Sequence, residues 1–311
     1  MVASDAAGSK PARPIKTETA IRKADVLIEA MEWIRKFRDK IVVIKLGGSV
    51  LEDENALRHL LLDVIFMETV GMRPVMVHGG GAAISRAMKE AGLQPRFIQG
   101  RRYTDDATRD IVDRVLAFET NEWIASRIEE LSGLAAPLNF HRMLNVLHGE
   151  RIMLAGENGE QIDLGHVGRV TRVEKSIIQN YLFAGRVPVI PSMCVDANGQ
   201  KLNVNADTAA MEVAVALGAE KLVFLSDVNG VRRDKSDPDS VIQSLTASEA
   251  RDLITTGVVD AGMIPKIEAC LEPLERGISK VHIIDGRQRH SLMLEIYTSR
   301  GVGTEIVKTR D

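Results

Sequence analysis

Two glycine-rich segments follow short apolar runs that are typical of buried strands. Residues 41–44 lead into Lys45-Leu46-Gly47-Gly48, and residues 74–77 lead into His78-Gly79-Gly80-Gly81. Glycine lets the backbone approach a ligand closely, and successive amide N–H groups at the start of a helix form an anion site. One such loop is common in ordinary strand-to-helix turns, but two at equivalent ends of a sheet favour a phosphorylated ligand. The pair Gly47 and Gly48 is the predicted phosphate loop.

Two lysines stand close to these predicted loops. Lys45 ends an apolar strand beside the first glycine pair, and Lys266 lies near a helix start in Gly262-Met263-Ile264-Pro265-Lys266. A strand-end lysine often simply extends into solvent. A lysine in the first turn of a helix is disfavoured by the helix dipole, so a bound anion would explain its position better. Both lysines are candidates for contacting a phosphate, and a solvated lysine stays the alternative for each.

Polar residues before a predicted helix at residues 206–217 form a third candidate group. The segment Asn203-Val204-Asn205-Ala206-Asp207 joins a hairpin to this helix. Asp207 would either cap the helix or serve a binding site. Arg102, in Gly100-Arg101-Arg102-Tyr103-Thr104, carries a planar fork of donors that suits a carboxylate, and its alternative is an ordinary hairpin arginine on the surface.

Familiar nucleotide-binding signatures do not account for these glycines. The sequence has no Gly-x-x-x-x-Gly-Lys-Ser/Thr loop, and Gly79-x-Gly81 continues as Ala82-Ala83-Ile84 instead of a dinucleotide-binding pattern. The His-Arg-Asp and Asp-Phe-Gly segments of protein kinases are absent as well. Cys194 and Cys270 have no second Cys or His nearby at zinc spacing, so no protein-held metal site is predicted.

The elements that must position these residues alternate between strands and helices along the chain. This alternation predicts a three-layer αβα sandwich with a mainly parallel central sheet. Ligands of open α/β sheets bind beyond the carboxyl ends of the strands, where both glycine loops fall. We predict a disordered arm over residues 1–20, an amphipathic helix within 21–40, and one α/β domain over 41–311, with lobes that meet near residue 200.

Composition excludes several other classes of protein. The 311 residues are 45% hydrophobic and 27% charged, which is not the composition of a disordered chain. Forty basic and 43 acidic residues give a net charge of −3, so no nucleic-acid partner is expected. A membrane-spanning helix needs an apolar run of about 18 residues, and the sequence contains none. The two isolated cysteines favour a reducing cytoplasm as the location.

These motifs together resemble the amino-acid kinase superfamily, and within it the acetylglutamate kinases. The likeness runs from about residue 23 to 308. It rests on the glycine loops and lysine segments quoted above and on several further segments: Gly100-x-Arg102-x-Thr104, Leu164-Gly165-His166-Val167-Gly168, Asn203-Val204-Asn205-Ala206-Asp207 and Leu225-Ser226-Asp227-Val228.

The resemblance implies a role for each matching residue. Lys45 and Lys266 would flank the transferred phosphoryl group, and Asp207 would hold both lysines. The resemblance further implies that acetylglutamate is bound by Gly80, Gly81, Arg102 and Asn203. The stretches that would contact ATP, in the lobe over about 201–311, are Asp227, Val228, Asn229, Gly230, Val231, Arg232, Val258, Val259 and Asp260. Magnesium would be held mainly by the phosphates.

The implied reaction is ATP-dependent phosphorylation of the γ-carboxylate of N-acetyl-L-glutamate, the second step of arginine biosynthesis. Family members that arginine inhibits carry an N-terminal helix that links dimers into a hexamer, so the helix within 21–40 implies a hexameric, L-arginine-inhibited enzyme. Departures are Cys194 in place of a usual glycine and a shorter segment at 147–151. The alternatives are a kinase for an aminoadipate derivative, a weakly active arginine-binding regulator, and the kinase-like half of a synthase.

Overall fold

The structure is a computed structural model that describes residues 17–156, 159–234, 236–237, 239–259, 262–298 and 301–310. The strands are β1 Ile41–Leu46, β2 Arg73–His78, β3 Phe97–Ile98, β4 Arg101–Arg102, β5 Ala135–Pro137, β6 Leu147–Ala155, β7 Gln161–Val173, β8 Val187–Pro191, β9 Met193–Val195, β10 Lys201–Asn203, β11 Lys221–Ser226, β12 Ser244–Thr246, β13 Lys280–Asp285 and β14 Thr304–Val307. The helices are α1 Thr17–Phe37, α2 Gly48–Leu51, α3 Glu54–Thr69, α4 Gly81–Glu90, α5 Asp106–Val112, a π-helix Asp113–Thr120, α6 Asn121–Glu130, α7 Lys175–Phe183, α8 Ala206–Leu217, α9 Ala247–Thr255, α10 Ile264–Glu275 and α11 Ser291–Ile296.

A central sheet runs through the domain in the order β12-β14-β13-β11-β1-β2-β8-β5. Neighbouring strands are parallel except for β13 and β14. Strand β1 lies between β2 and β11, so the two predicted lobes contribute to one continuous sheet. Parallel strands of this kind need both faces covered, because their connections place helices on both sides.

Two hydrophobic cores cover the two faces of this sheet. Val43 of β1 packs in one core with α8 and α10, whereas Val42 and Ile44 pack in the other with α3 and α6. Successive side chains of a strand point to opposite faces, and all three of these side chains are fully buried. The predicted three-layer αβα sandwich with a mainly parallel sheet is therefore confirmed.

The middle hairpins form a small closed barrel from β6, β7, β9 and β10. This barrel contains two of the departures from the family pattern. A Cβ atom placed on Gly149 would lie 2.5 Å from the Cys194 Sγ, so the two positions are in direct contact. Cys194 is bulkier than the glycine that the resemblance predicts at its position. Gly149 on the neighbouring strand leaves room for its side chain.

Helix α1 begins at Thr17, a few residues before the predicted start at residue 21. Residues 17–20 of the predicted disordered arm belong to this helix, and residues 1–16 lie outside the described residues. The apolar stripe of this helix is only partly covered by the rest of the chain. Phe37 is buried, but Leu27 and Met31 are 67% and 43% exposed. Within the described ranges, no helix is long and apolar enough to cross a bilayer.

Candidate active site

The first catalytic candidate, Lys45, forms an ion pair at the carboxyl end of β1. Its Nζ lies 2.8 Å from Asp207 Oδ1, and its side chain is 16% exposed. Asp207 stands in the first turn of α8. The N-cap of this helix is Asn205, whose side chain accepts hydrogen bonds from the backbone N–H groups of Asp207 and Thr208. Asn205 therefore caps the helix, and the Asp207 carboxylate pairs with a lysine instead.

The second candidate, Lys266, pairs with a different carboxylate. Its Nζ lies 3.0 Å from Asp227 Oδ1, and this hydrogen bond lowers the pKa of Asp227. That Asp207 holds both lysines stays a prediction, because Lys266 pairs with Asp227 in this structure. Lys266 projects from the first turn of α10, beside the carboxyl end of β11 where Asp227 lies. Both lysines nevertheless line one small cavity of about 50 Å³, together with Asp207 and Ser226.

The predicted acceptor residues line a second, larger cavity of about 200 Å³. Arg102 is 7% exposed, and one of its terminal nitrogens donates to the Gly81 carbonyl and to Ser85 Oγ, each at 2.8 Å. Its guanidinium carbon lies 4.8 Å from the Phe97 ring centroid. Burial lowers the pKa of Arg102, yet an arginine stays charged in proteins. Among the described residues, no carboxylate forms an ion pair with this buried cation, so an anionic ligand would complete it.

Asn203 also lines this acceptor cavity. Its Nδ2 donates to Thr104 Oγ1 at 3.3 Å, and this hydroxyl donates to the Arg102 carbonyl at 2.9 Å. Gly80 and Gly81 line the same cavity. The structure therefore brings together all four predicted acceptor residues. Thr104, Ser85 and Phe97 were missed as functional residues, although Thr104 belongs to the segment that carries the family resemblance.

The glycines of the two loops differ in how much space surrounds them. A Cβ on Gly47 would lie 2.9 Å from the Leu225 carbonyl oxygen, and a Cβ on Gly79 would lie 3.2 Å from the Ala206 Cβ. These glycines permit close packing of backbones. A Cβ on Gly48 or Gly81 would meet no atom within 4 Å. Both positions therefore border open space at the first turns of α2 and α4, and packing does not require glycine there.

The residues predicted to bind ATP follow β11 and precede α10. A Cβ on Gly230 would lie 2.5 Å from Thr304 Oγ1, which accepts a hydrogen bond from the Val231 N–H at 2.8 Å. This contact fixes the Val228–Arg232 stretch against β14. Val258 is partly exposed and Val259 is buried, while Asp260 lies outside the described residues. ATP binding by these residues, including Asn229 and Arg232, stays a prediction.

Known proteins are similar to this chain over nearly its whole length. The model of the amino acid kinase family matches residues 40–285. An acetylglutamate kinase of Pelotomaculum thermopropionicum is 43% identical over 293 residues, which cover 93% of this chain and 99% of the relative. The acetylglutamate kinase of Methanobrevibacter smithii is 42% identical over 292 residues, which cover 93% of this chain and 100% of the relative. The chain belongs to the acetylglutamate kinases of the amino acid kinase family. It is therefore a kinase, as the sequence predicted.

Among solved structures, the N-acetylglutamate synthase of Neisseria gonorrhoeae in complex with coenzyme A and L-arginine is similar to this chain. The two are 26% identical with a TM-score of 0.76, over 92% of this chain and 65% of the synthase chain. The chain thus spans about 65% of the length of that synthase. The match covers nearly all of this acetylglutamate kinase family member, so the fold described above is shared.

Proposed function

We propose that the chain transfers the γ-phosphoryl group of ATP to the γ-carboxylate of N-acetyl-L-glutamate, the second step of arginine biosynthesis. The observation that carries the proposal is the buried Arg102 guanidinium, which lacks a carboxylate partner among the described residues and lines a cavity next to the lysine pair. Both cavities adjoin the start of α8, where Ala206 lines the acceptor cavity and the next residue, Asp207, lines the lysine cavity. An acceptor anchored on Arg102 would extend its other end toward the lysines.

The chemistry of this acceptor suits the groups at the site. A γ-carboxylate is already ionised at neutral pH, so the reaction needs no general base. The obstacle is repulsion between two anions, together with the negative charge on the oxygens of the transferred group. Lys45 and Lys266 supply positive charge, and the loop amides at Gly48 and Gly81 supply N–H groups. Asp207 and Asp227 hold the two ammonium groups in place through ion pairs.

Magnesium would enter the site with ATP. The two carboxylates at the lysine cavity, Asp207 and Asp227, are each paired with a lysine. This pairing is consistent with a metal ion whose ligands come mainly from the nucleotide phosphates. Bound there, the ion would neutralise part of the phosphate charge. Asp227 is the more exposed of the two carboxylates and could contact the hydration shell of the ion.

The acceptor is tested by an ADP-release assay with the wild-type chain. We expect ADP release with ATP, magnesium and N-acetylglutamate. With glutamate, aspartate, uridylate or N-acetylaminoadipate we expect a kcat/KM at least about tenfold lower, because the cavity is small and one charged contact is worth at least about 1.4 kcal/mol. A preference for N-acetylaminoadipate would identify the aminoadipate-type compound as the acceptor in place of N-acetylglutamate. Release with none of these acceptors would favour a regulator over an enzyme of this pathway.

We also propose that α1 assembles dimers into a hexamer and that L-arginine inhibits the enzyme. The supporting observation is the set of exposed apolar side chains along α1, which are Ile21, Val26, Leu27, Ile28 and Met31. Burying these side chains against a second copy would remove them from water. Phe37 at the end of α1 lies 5.1 Å from the Lys221 ammonium, so the helix reaches the C-terminal half where the effector would bind.

Deletion of residues 1–38 tests this assembly. We expect the full chain to sediment as a hexamer that arginine inhibits, and the truncated chain to sediment as an active dimer without that response. The proposed arginine site is distinct from the catalytic site, so the truncated chain should keep its activity in the absence of arginine. A full-length dimer, or a truncated hexamer with unchanged arginine response, would contradict the proposal.

A further inference from the structure

His78 ends β2 and begins the second glycine loop, and its side chain is completely buried. Its Nδ1 lies 3.2 Å from the carbonyl oxygen of Gly79, within the loop that lines the acceptor cavity. Its Nε2 lies 3.0 Å from the side-chain nitrogen of Asn121. A carbonyl oxygen only accepts and an amide nitrogen only donates. Only one neutral tautomer satisfies both contacts: Nδ1–H donates to Gly79, and Nε2 accepts from Asn121.

The orientation of the Asn121 side chain is set by a second pair of contacts. Its Nδ2 also donates to the Val189 carbonyl, and its Oδ1 accepts from Asn139 Nδ2, each at 3.0 Å. Asn139 in turn donates to Glu122 Oε1 at 2.8 Å and accepts from the Arg142 backbone N–H at 3.0 Å. Each amide therefore faces a partner that fixes which end carries the nitrogen. Asn121 cannot turn over without losing three hydrogen bonds.

The π-helix explains how Asn121 reaches this position. Asn121 directly follows the π-helix Asp113–Thr120. Hydrogen bonds from i to i+5 place an extra residue in the turn, and they occur often at functional sites. The same π-helix touches the loop, because a Cβ on Gly80 would lie 3.1 Å from Leu116 Cδ1 and 3.9 Å from Thr120 Oγ1. The π-helix thus packs against the glycine loop, and α6, which continues it, begins with the amide that contacts His78.

We propose that His78 is a positioning residue for acceptor binding, with its tautomer set by Asn121, so that the Nδ1–H group holds the Gly79 carbonyl and the loop amides point into the acceptor cavity. This inference rests on the proposed function, which names N-acetylglutamate as the acceptor. Burial lowers the pKa of His78 to about 4, so the ring stays neutral near neutral pH. The charged groups of the network, Glu122 and Arg142, pair with each other on the far side of Asn139.

Two substitutions of His78 separate this role from simple packing. His78→Asn retains a nitrogen near the Nδ1 position and can still donate to Gly79, whereas His78→Gln retains a polar atom near Nε2 and loses the donor to the loop. Removing one buried hydrogen bond should raise the KM for N-acetylglutamate about tenfold in His78→Gln and less than about threefold in His78→Asn. The KM for ATP should change less than about twofold in both variants. Equal changes in the two variants, or equal changes for both substrates, would overturn the proposal.

A second variant, Asn121→Asp, keeps the proposal testable if His78 is needed for folding. The introduced carboxylate accepts where the amide donated, so only a protonated, doubly donating imidazole satisfies both it and the Gly79 carbonyl. We expect the acceptor KM of this variant to rise about fivefold or more between about pH 6 and pH 9, while that of the wild type stays nearly flat. The matched control is Asn145→Asp, since Asn145 is half-buried and donates to the Leu147 carbonyl outside the network.

The outcomes separate this inference from the proposed function. A wild-type chain that does not phosphorylate N-acetylglutamate would overturn the proposed function and with it the acceptor named here. An active wild type, together with a pH-independent acceptor KM in Asn121→Asp or the same pH dependence in Asn145→Asp, would overturn only the positioning role. Thermal unfolding of each variant distinguishes lost binding from lost folding.

Discussion

Replacing Arg102 by lysine tests whether this guanidinium binds the carboxylate of the acceptor. The guanidinium is buried, and one of its nitrogens is already engaged by Gly81 and Ser85. A second nitrogen lies 3.2 Å from the Met88 sulfur, which is a weak acceptor. Lysine keeps the positive charge but has a single ammonium group. It cannot hold the Gly81 carbonyl and a carboxylate in the same geometry.

The size of the effect follows from the hydrogen bonds that are lost. A hydrogen bond to a charged group contributes about 1.5–3 kcal/mol, which corresponds to a rise in the KM for N-acetylglutamate of about 10- to 150-fold. The Phe97 ring covers the guanidinium at 4.8 Å, so water replaces the lost contact poorly and the upper half of this range is expected. The KM for ATP should stay nearly fixed, because the predicted ATP residues follow β11.

The assay measures ADP release while one substrate is varied and the other is saturating. Arg96→Lys is the matched control, because the Arg96 guanidinium carbon lies 5.2 Å from the Tyr103 ring centroid and this exposed residue does not line the acceptor cavity. Equal rises in the KM of both substrates would mean that Arg102 organises the whole site. An unchanged acceptor KM in Arg102→Lys would refute the reasoning.

Two further predictions concern the lysines and the buried histidine. Lys45→Ala or Lys266→Ala should lower kcat by roughly two to three powers of ten while the chain still folds, since each removes one donor to the transferred group; an unchanged kcat in Lys266→Ala would contradict the two-lysine mechanism. The pKa of His78 is about 4 in the folded chain, against an ordinary value of 6.5. Between these pH values the unfolded chain binds a proton at this residue more readily, so the free energy of unfolding falls as the pH drops from about 6.5 toward 4. In urea titrations the wild type should lose about 2 kcal/mol relative to His78→Asn between about pH 7 and pH 5, and parallel curves would contradict the assigned pKa.

Local patterns in the sequence were sufficient to predict much of the sheet and several helices. The β-branched run at 41–44 predicted a strand buried on both faces, and Val42, Val43 and Ile44 are fully buried. The helix predicted from Ala206 to Leu217 has those bounds, because Asn205 caps its start and Gly218 ends it with a positive φ. These features depend on neighbours in sequence.

Features that depend on distant residues were not predictable. Arg102 was equally consistent with a surface position, and its burial results from Ser85, Met88 and Phe97 on other elements. The pairing of Lys266 with Asp227 depends on how α10 meets the end of β11. The π-helix Asp113–Thr120 was not predicted, because a shift in backbone hydrogen bonds has no pattern of apolar residues to reveal it.

Hydroxylamine trapping shows whether the chain phosphorylates a carboxylate. Acyl phosphates react with hydroxylamine to give hydroxamates, whereas phosphate esters and anhydrides of nucleotides do not do so readily. With ATP, magnesium and N-acetylglutamate, we expect a product with the mass of the γ-hydroxamate of N-acetylglutamate, formed by the wild type and nearly absent with Lys45→Ala. ADP formation by the wild type without any hydroxamate would contradict this expectation.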